Sequence, residues 1–304
     1  MQAASKTKIK IRPKSNVRRE IDVQRADSLA GIPWLVHGFS TRTGGSSKAY
    51  GGGALNLGFT AQDSRAAVER NRQAFATAVA GNIRKGAAPW PIVTLRQIHS
   101  DLIHFVSGIP EKPLAGDGLV TGTPGILLAV LTADCLPIIL ADGKRHAVGV
   151  FHAGWRGTVK RITEKGVGEM QRYFGSRPAD LRAVIGPGIR NCCYQVGKEV
   201  RDAFESQFSY ASALFRDTKE TDEIHEKYPL LFLTSRAPGH SDLPQQIFLD
   251  LAEANRRQLL DAGVLKKNIS EIALCTACRT DILFSHRAER GITGRMMAVA
   301  GILR

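Results

Sequence analysis

The sequence has no apolar run long enough to cross a membrane. Its longest one, Gly125–Leu140, is broken by Asp134 and Pro137 and falls short of the ~20 apolar residues that a transmembrane helix needs. The N-terminal residues also lack the apolar segment of a secretory signal. We therefore expect a protein without a membrane partner.

Cysteine is scarce, and its five residues are an odd number. This number argues against the disulfide framework of a secreted domain and favours the reduced thiols of a cytoplasmic protein. Cys275 and Cys278 are spaced as C-x-x-C. A second pair at that spacing is absent, since Cys192 and Cys193 are adjacent. Because a structural zinc ion needs four ligands and the motif opens no thioredoxin-like helix, we expect these thiols to be buried or incidental.

The glycine-rich fingerprints of nucleotide binding are also missing. The segment GPGIRNCCYQVG, residues 186–197, contains no G-x-G-x-x-G, and Gly-Lys-Ser/Thr occurs nowhere in the chain. The sequence therefore supports neither a Rossmann dinucleotide site nor a P-loop.

Acidic residues are too few to balance the basic ones, and the formal net charge is +14. Residues 1–20 contain one acid, Glu20, and these seven cations: Lys6, Lys8, Lys10, Arg12, Lys14, Arg18 and Arg19. No aromatic residue lies among them, as a platform for stacking bases would require. We interpret residues 1–28 as a solvated basic tail and do not expect nucleic acid as a partner. A nucleic-acid binder is the rival interpretation, and its affinity would fall steeply with salt.

Alternating strand and helix patterns predict a single mixed α/β domain over residues 29–304. Helices are predicted at 63–80 with Asp63 as N-cap, at about 159–174, from about 197, and within 246–264. Strands are predicted at about 90–99, on both sides of the turn at 132–135, and at 146–153, 181–185, 271–275 and 294–303. The polar segment 215–229 is predicted to be an exposed excursion, and no Pro/Ser-rich linker divides the chain.

Three of the apolar, strand-like runs end at residues that bind metal ions well. These are His99 in VTLRQIHSD, Cys135 in LTADCLPII and His152 in VGVFHAGWRGT. The separations, 36 residues from 99 to 135 and 17 from 135 to 152, suit ligands that converge from different strands. Two histidines and one cysteine form a zinc set that leaves the fourth position open for water or substrate. The spacing equally allows two hydrogen-bonded histidines and a buried thiol, so both interpretations stay open here.

Other residues are candidates for binding an anion or moving a proton. Arg156 and Thr158 follow His152 at an expected helix N-terminus, where a phosphate would be favoured. The alternative is an ordinary N-cap beside an exposed arginine. Arg42, in STRTGGSS, is a weaker candidate for a second anion-binding loop. Asp134 precedes Cys135 and is our candidate for a general acid/base or a partner of a ligating histidine, with a turn-capping carboxylate as the alternative; Asp117, in GDGLV, is a weaker candidate of the same kind.

Several motifs taken together resemble a known family. They are HGFSTRTGGSS with LNLG, LRQIHSD, DGLVTGTPGILLAVLTADCLPIIL, FHAGWRGT, GPGIRNCCYQVG, FLDLAEANRRQLLDAGV and CTACRTDILFSHRAERGITGRMMAVAGIL. In this order they resemble the laccase-domain or polyphenol-oxidase family, whose members are described as purine nucleoside phosphorylases. The resemblance covers about residues 34–304.

The resemblance implies an α+β fold, a single domain with mixed β-sheets layered against helices. It also implies a zinc-dependent enzyme acting on purine nucleosides and phosphate, with phosphorolysis of adenosine, inosine and methylthioadenosine and deamination of adenosine. Its metal ligands match His99, Cys135 and His152, and copper belongs to the family's older label. The chain's eight histidines include no His-x-His pair, so we do not expect true laccase activity. A rival is a metal-free hydrolase with Cys135 as nucleophile and His152 as base.

Overall fold

The computed structural model of the protein describes residues 20–81, 89–219 and 245–303. Its strands are β1 (Val23–Gln24), β2 (Leu35–Ser40), β3 (Thr43–Ser47), β4 (Ile92–Val93), β5 (Ile103–Phe105), β6 (Gly118–Thr121), β7 (Leu127–Thr132), β8 (Leu136–Asp142), β9 (Ala147–Ala153), β10 (Leu181–Ile185), β11 (Gln195–Val196), β12 (Phe215–Lys219), β13 (Gln245–Leu249), β14 (Ile269–Glu271) and β15 (Met296–Ile302). Its helices are α1 (Arg65–Ala80), α2 (Trp155–Val159), α3 (Ile162–Phe174), α4 (Lys198–Glu205) and α5 (Leu251–Asp261). Short 3-10 turns cover Asp27–Leu29, Pro178–Asp180, Ala211–Leu214 and Lys266–Asn268.

The longer strands form two mixed sheets. One has the order β1-β2-β15-β7-β4 and the other β14-β10-β8-β9-β6-β5. Most neighbours are antiparallel, while β4 pairs with β7, β5 with β6 and β10 with β14 in parallel. A small third sheet has the strand order β11-β13-β12, and α4 follows β11 directly in the sequence.

The two large sheets stack face to face and are covered by helices on their outer sides. Ile139 of β8 and Val130 of β7 belong to one buried cluster between the sheets. On the far side of the six-stranded sheet, Phe151 packs with Met170 of α3 in a second cluster. On the far side of the five-stranded sheet, residues of β15 and α1 form a third. This layered arrangement confirms the α+β fold with mixed sheets.

Burial on both faces explains why β8 is apolar along almost its entire length. Side chains alternate between the faces of a strand, so Ile138 and Leu140 face the helices while Ile139 and Ala141 face the other sheet. All seven residues of β8 are buried. A sheet with solvent on one face would instead show alternating polar residues.

Several predicted boundaries differ from the observed ones. Helix α1 is capped by Ser64, whose Oγ accepts a hydrogen bond from Ala67 N at 3.3 Å, and not by Asp63. Asp63 instead accepts a hydrogen bond from Asn56 Nδ2 at 2.8 Å. The helix predicted at 159–174 begins earlier and is interrupted at Arg161, whose φ of 64° lies in the left-handed region and separates α2 from α3.

The segment 246–264 is only partly helical. Its first residues belong to β13, and α5 begins after Asp250, whose carboxylate accepts a hydrogen bond from Glu253 N at 2.9 Å. The predicted strand leading to His99 consists of β4 alone, so His99 lies in a loop.

Part of the predicted basic tail lies outside the described residues, namely residues 1–19 with their seven cations. Within the described part, Val23 and Gln24 pair with Ser40 and Phe39 of β2. The division into a tail of residues 1–28 and a domain of residues 29–304 stays a prediction. Most of the predicted excursion at 215–229 also lies outside the described residues, and its first five residues form β12. In the described parts of the chain, no helix is both long and apolar enough for a membrane span.

Candidate metal centre

Three residues from separate parts of the chain meet at one end of the six-stranded sheet. His99 lies in the loop after β4, Cys135 in the turn from β7 to β8, and His152 next to the last residue of β9. Strands β8 and β9 are antiparallel, with Leu136 opposite Ala153. The start of β8 and the end of β9 therefore lie side by side, which brings Cys135 to the histidine of β9.

The ligand atoms of these side chains form a compact set. One nitrogen of each imidazole and the Cys135 sulfur all lie within 4.8 Å of one another. The imidazole rings of His99 and His152 have centroids 5.0 Å apart and an interplanar angle of 74°. His152 is buried, Cys135 is half-buried and His99 is exposed, so one side of the set is open to solvent. This donor set fits a borderline divalent metal ion and leaves a coordination position for another ligand.

A buried carboxylate, Asp117, holds both imidazole-bearing segments in place. Its Oδ1 accepts a hydrogen bond from His152 Nδ1 at 2.8 Å and another from the backbone N–H of His99 at 3.1 Å. Its Oδ2 accepts bonds from the backbone N–H and the hydroxyl of Ser100, at 2.6 and 2.7 Å. Because Nδ1 of His152 is occupied in this way, Nε2 is the nitrogen available to a metal ion.

The charges of this cluster depend on one another. Burial alone would raise the pKa of the Asp117 carboxyl, but hydrogen bonds from His152 and Ser100 lower it to about 2. Burial would likewise raise the pKa of the Cys135 thiol, yet the neighbouring imidazoles lower it to about 6. Burial would lower the pKa of His152, while Cys135 and Asp117 raise it to about 9. Without a metal ion, these shifts favour a thiolate beside a protonated imidazole.

Two residues that sequence reasoning did not single out shape the site. The side-chain amide of Gln97 pairs with the backbone of Leu131, with Nε2 2.8 Å from its oxygen and Oε1 2.7 Å from its nitrogen. This pairing ties the His99 loop to the strand that precedes Cys135. At Gly154, a Cβ atom would lie 2.9 Å from Cys135 Sγ and 3.2 Å from His99 Cδ2, so the ligands can approach only because this residue has no side chain. The glycines of HAGWRGT were a visible signal for Gly154, whereas nothing in the sequence marked Gln97.

The three ligands line a cleft of about 580 Å³, within the ~300–1,000 Å³ typical of small-molecule sites. Apolar walls come from residues such as Leu95, Leu131 and Ile189. Aromatic and cationic side chains also face it: Phe59, Tyr194, His286, Arg287 and Arg295. The cleft thus combines flat apolar surfaces with positive charge beside the three ligands.

A second, smaller cleft adjoins the first at Tyr194 and Arg287. Both residues line both clefts, and the second has a volume of about 450 Å³. The Arg287 guanidinium lies 5.7 Å from the centroid of the Tyr194 ring and donates a hydrogen bond to Gln195 O at 2.7 Å. Burial, and then the Cys135 charge, raise the pKa of the Tyr194 hydroxyl, which stays protonated near neutral pH.

Asp134 does not contact a ligating imidazole. Its Oδ1 accepts hydrogen bonds from the hydroxyls of Thr276 and Ser285 at 2.6 and 2.8 Å, and its Oδ2 accepts one from Arg287 N at 2.7 Å. The expected partnership with a histidine is therefore wrong for Asp134, and Asp117 fills that role. Asp134 anchors the loop that carries Arg287 to the cleft, while an acid/base role for it stays a prediction.

Arg156 and Thr158, predicted as one anion site, separate in the structure. Arg156 is exposed, lies over the Trp155 ring at 4.3 Å from its centroid, and lines the second cleft. Thr158 is fully buried inside α2, where its Oγ1 accepts a hydrogen bond from Asn255 Nδ2 at 3.0 Å. The prediction for Thr158 is wrong because α2 begins at Trp155, one turn earlier than expected.

The guanidinium of Arg42 is not available to bind phosphate. Its Nη1 donates to the carbonyl oxygens of Thr280 and Leu283 and to the carboxylate of Glu289, and its Nη2 donates to Tyr50 O. Because these partners occupy the guanidinium, Arg42 holds neighbouring loops together. The predicted phosphate contact is therefore wrong.

The four remaining cysteines lie together in the structure. The sulfur atoms of Cys192, Cys193, Cys275 and Cys278 all lie within 4.8 Å of one another. This corrects the expectation drawn from their spacing, because the fold joins a vicinal pair to a C-x-x-C pair.

The chain is similar over most of its length to proteins of one described family. The family model described as multi-copper polyphenol oxidoreductase laccase matches residues 36–303. A Deinococcus radiodurans protein named purine nucleoside phosphorylase is 36% identical over 282 residues, which is 92% of each chain.

Two further relatives are informative. Purine nucleoside phosphorylase YlmD of Geobacillus stearothermophilus is 34% identical over 279 residues, covering 88% of this chain and 89% of the relative. Its crystal structure matches with a TM-score of 0.74, over 92% of this chain and 94% of that one. A protein named adenosine deaminase RL5, from an unknown prokaryotic organism, is 36% identical over 178 residues, or 58% of this chain and 59% of that protein.

Proposed function

The chain belongs to the multi-copper polyphenol oxidoreductase laccase family, and we propose that it is a zinc-dependent purine nucleoside enzyme. The proposed reactions are phosphorolysis of adenosine, inosine and methylthioadenosine, and deamination of adenosine. Relatives named purine nucleoside phosphorylase and adenosine deaminase support purine nucleosides as the class of substrate.

The observation that carries the proposal is the set of three ligands at the wall of the cleft. His99, Cys135 and His152 offer ligand atoms within 4.8 Å of one another, with Asp117 bonded behind His152. A zinc ion held there would supply Lewis-acid activation of water or substrate at its open position. Within the described ranges, the other group of potential ligands is the four-cysteine cluster, and neither group is the histidine-rich set of a copper oxidase.

The chain's own residues account for binding and proton control. The cleft beside the ligands provides the apolar and aromatic surfaces that a purine and a ribose need. Asp117 keeps the proton of His152 on Nδ1 and so directs Nε2 into the site. In deamination, water adds to purine C6 and the amino group leaves as ammonia. In phosphorolysis, phosphate attacks the ribose anomeric carbon as the purine leaves.

Arg156 and Arg287 are our candidates for the phosphate anchor. Both line the second cleft, which also contains one carboxylate, Glu199. Neither arginine is ion-paired within the part of the chain that the structure describes. Guanidinium groups bind phosphate with paired hydrogen bonds. Tyr194 lines both clefts, so phosphate in the second cleft and nucleoside in the first would meet beside it.

A product assay on adenosine, with and without phosphate, tests the proposal. Adenine and ribose phosphate that form only with phosphate indicate phosphorolysis, and inosine formed in either condition indicates deamination. Adenosine left intact by zinc-loaded protein in both conditions would reject the proposed function.

One observation favours a second candidate, a metal-free cysteine hydrolase. The opposite pKa shifts of Cys135 and His152 describe a thiolate–imidazolium pair, which is the resting state of many nucleophilic cysteine enzymes. Metal-depleted protein distinguishes the two. A zinc enzyme loses turnover with the metal and regains it with zinc, whereas a thiol enzyme stays active without metal and is inactivated by an alkylating agent.

A further inference from the structure

Two chain segments carrying cysteine leave the six-stranded sheet side by side. Strand β10 leads to Cys192 and Cys193, and β14 leads to Cys275 and Cys278. The parallel pairing of β10 with β14 continues beyond both strands, with Gly188 bridged to Cys275. The backbone hydrogen bond from Thr276 N to Gly188 O, at 3.1 Å, closes this extension. The backbone therefore holds the two segments in register at the cysteines.

The four sulfur atoms are spaced as ligands of one metal ion would be. They all lie within 4.8 Å of one another, and Cys278 Sγ is 3.6 Å from that of Cys192 and 3.3 Å from that of Cys193. Four sulfurs around a tetrahedral zinc ion, with bonds of about 2.3 Å, lie about 3.8 Å apart. A disulfide would need about 2.05 Å between sulfurs, and all five cysteines of the chain are free thiols.

We propose that Cys192, Cys193, Cys275 and Cys278 form a second metal site, which binds one zinc ion through four thiolates. All four positions are protein sulfurs, so this site has no room for water or substrate and is structural, unlike the site at His99, Cys135 and His152. Binding replaces each remaining thiol proton with a sulfur–zinc bond and releases the proton to solvent.

The surroundings suit a metal-thiolate group. Backbone N–H groups of Arg190 and Cys278 donate hydrogen bonds to the Cys275 sulfur. Cys275 is buried while Cys192 and Cys278 are exposed, so an ion can enter from solvent.

This second site would position the wall of the substrate cleft. Tyr194 directly follows the vicinal cysteines, and the loop after Cys278 carries Ser285 and Arg287, which bind Asp134. One ion bound to both segments would fix the distance between Tyr194 and Arg287, the two residues that line both clefts. The inference does not depend on the proposed function, since it concerns different ligands.

Metal content measured on the full-length chain tests the proposal. In a Cys135→Ala background, which removes one ligand of the first site, we expect one zinc ion per chain by elemental analysis. Adding Cys193→Ser and Cys278→Ser should reduce the zinc content at least tenfold, while Ala277→Ser in the same loop should leave it unchanged. A Cys135→Ala protein without bound zinc after incubation with the ion would overturn the proposal.

Folded wild-type protein provides a second test that needs no cysteine variant. With zinc present, alkylation of the exposed Cys192 and Cys278 should be at least tenfold slower than after chelation. Co²⁺ in place of zinc should give the intense visible absorption and sulfur-to-metal charge transfer of a tetrathiolate. Equal alkylation with and without chelator, or disulfides among these cysteines in metal-free protein as purified, would contradict it. If the protein holds this zinc ion but turns over no nucleoside, that result would contradict the proposed function. It would not contradict the second metal site.

Discussion

Asp117 Oδ1 lies 2.8 Å from His152 Nδ1, and the same oxygen accepts the backbone N–H of His99. One buried carboxylate therefore sets the ring orientation of one potential ligand and the backbone position of another. Because His99 has a φ of 56°, a strained value for a residue with a side chain, its loop needs such an anchor. The histidine pair is thus preorganised by the protein before any metal ion binds.

Asp117→Asn should weaken metal binding at the first site. The asparagine amide keeps one acceptor oxygen but loses the negative charge that stabilises His152. Changing a residue that is hydrogen-bonded to a metal-binding histidine costs about 10- to 100-fold in metal affinity or activity. Zinc competition with a chromophoric chelator measures this loss. Asp142→Asn is the matched control. Asp142, the last residue of β8, is buried like Asp117 and accepts hydrogen bonds from the backbone N–H groups of Lys144 and Arg145. Equal affinities for both variants would show that Asp117 does not support the site.

Gly154→Ala should disrupt the same site sterically. The added Cβ would lie 2.9 Å from Cys135 Sγ, too close for an undisturbed contact, so we expect at least a tenfold loss of zinc affinity and turnover. Gly168→Ala is the control, because nothing lies near its Cβ position in α3 and alanine is the better helix former by about 1 kcal/mol. Wild-type zinc affinity in Gly154→Ala would contradict the observed packing.

The sequence allowed the three candidate ligands to be singled out because each follows an apolar run. Buried strands are recognisable by composition, and side chains just beyond them tend to meet at one sheet edge. Asp117 could not be assigned in this way, since it is 18 residues from His99 and 35 from His152. Only the pairing of β6 with β9, which places Gly118 opposite Phe151, brings it to the site.

Two predictions failed most clearly, each for a different reason. The cysteine cluster depends on the parallel pairing of β10 with β14, a long-range contact that local spacing does not encode. Thr158 was misplaced because glycine and tryptophan at 154–155 hid the helix start. A shift of one turn moved its side chain from the expected helix end to the interior beside Asn255.

Cys135→Ala should abolish turnover of adenosine and reduce bound zinc by one ion per chain. The two histidines left would hold the metal weakly, because a three-ligand site has lost its only thiolate. Elemental analysis and the product assay on the same preparation check both effects. Retained turnover in metal-free Cys135→Ala protein would reject both the zinc mechanism and the thiol alternative.

Arg156→Ala should raise the KM for phosphate without affecting deamination of adenosine. A hydrogen bond to a charged group contributes about 1.5–3 kcal/mol, so kcat/KM for phosphate should fall about 10- to 100-fold. Arg172→Ala is the control, because Arg172 also lies over an aromatic ring, that of Tyr173, on the surface of α3. An equal loss in the phosphate-independent reaction would show that Arg156 acts on the nucleoside or on the fold instead.

His37 should make the fold less stable in mild acid. Its ring is buried, its Nε2 accepts a hydrogen bond from Ala26 N at 3.1 Å, and burial together with the Arg25 charge lowers its pKa from 6.5 to about 4. The folded state thus favours the neutral ring, and the contribution is complete above pH 6.5 and declines as the pH falls towards 4. At about 1.4 kcal/mol per pH unit, roughly 3 kcal/mol of unfolding free energy is lost.

Urea denaturation of His37→Gln at several pH values isolates this effect. Glutamine keeps an acceptor for Ala26 N but does not titrate, so the variant should lose less stability than wild type between pH 6.5 and 4. His146→Asn is the control, because His146 is exposed and its φ of 50° is one that asparagine tolerates. It should keep the wild-type slope. A His37→Gln profile parallel to wild type would mean that groups other than His37 cause the acid sensitivity.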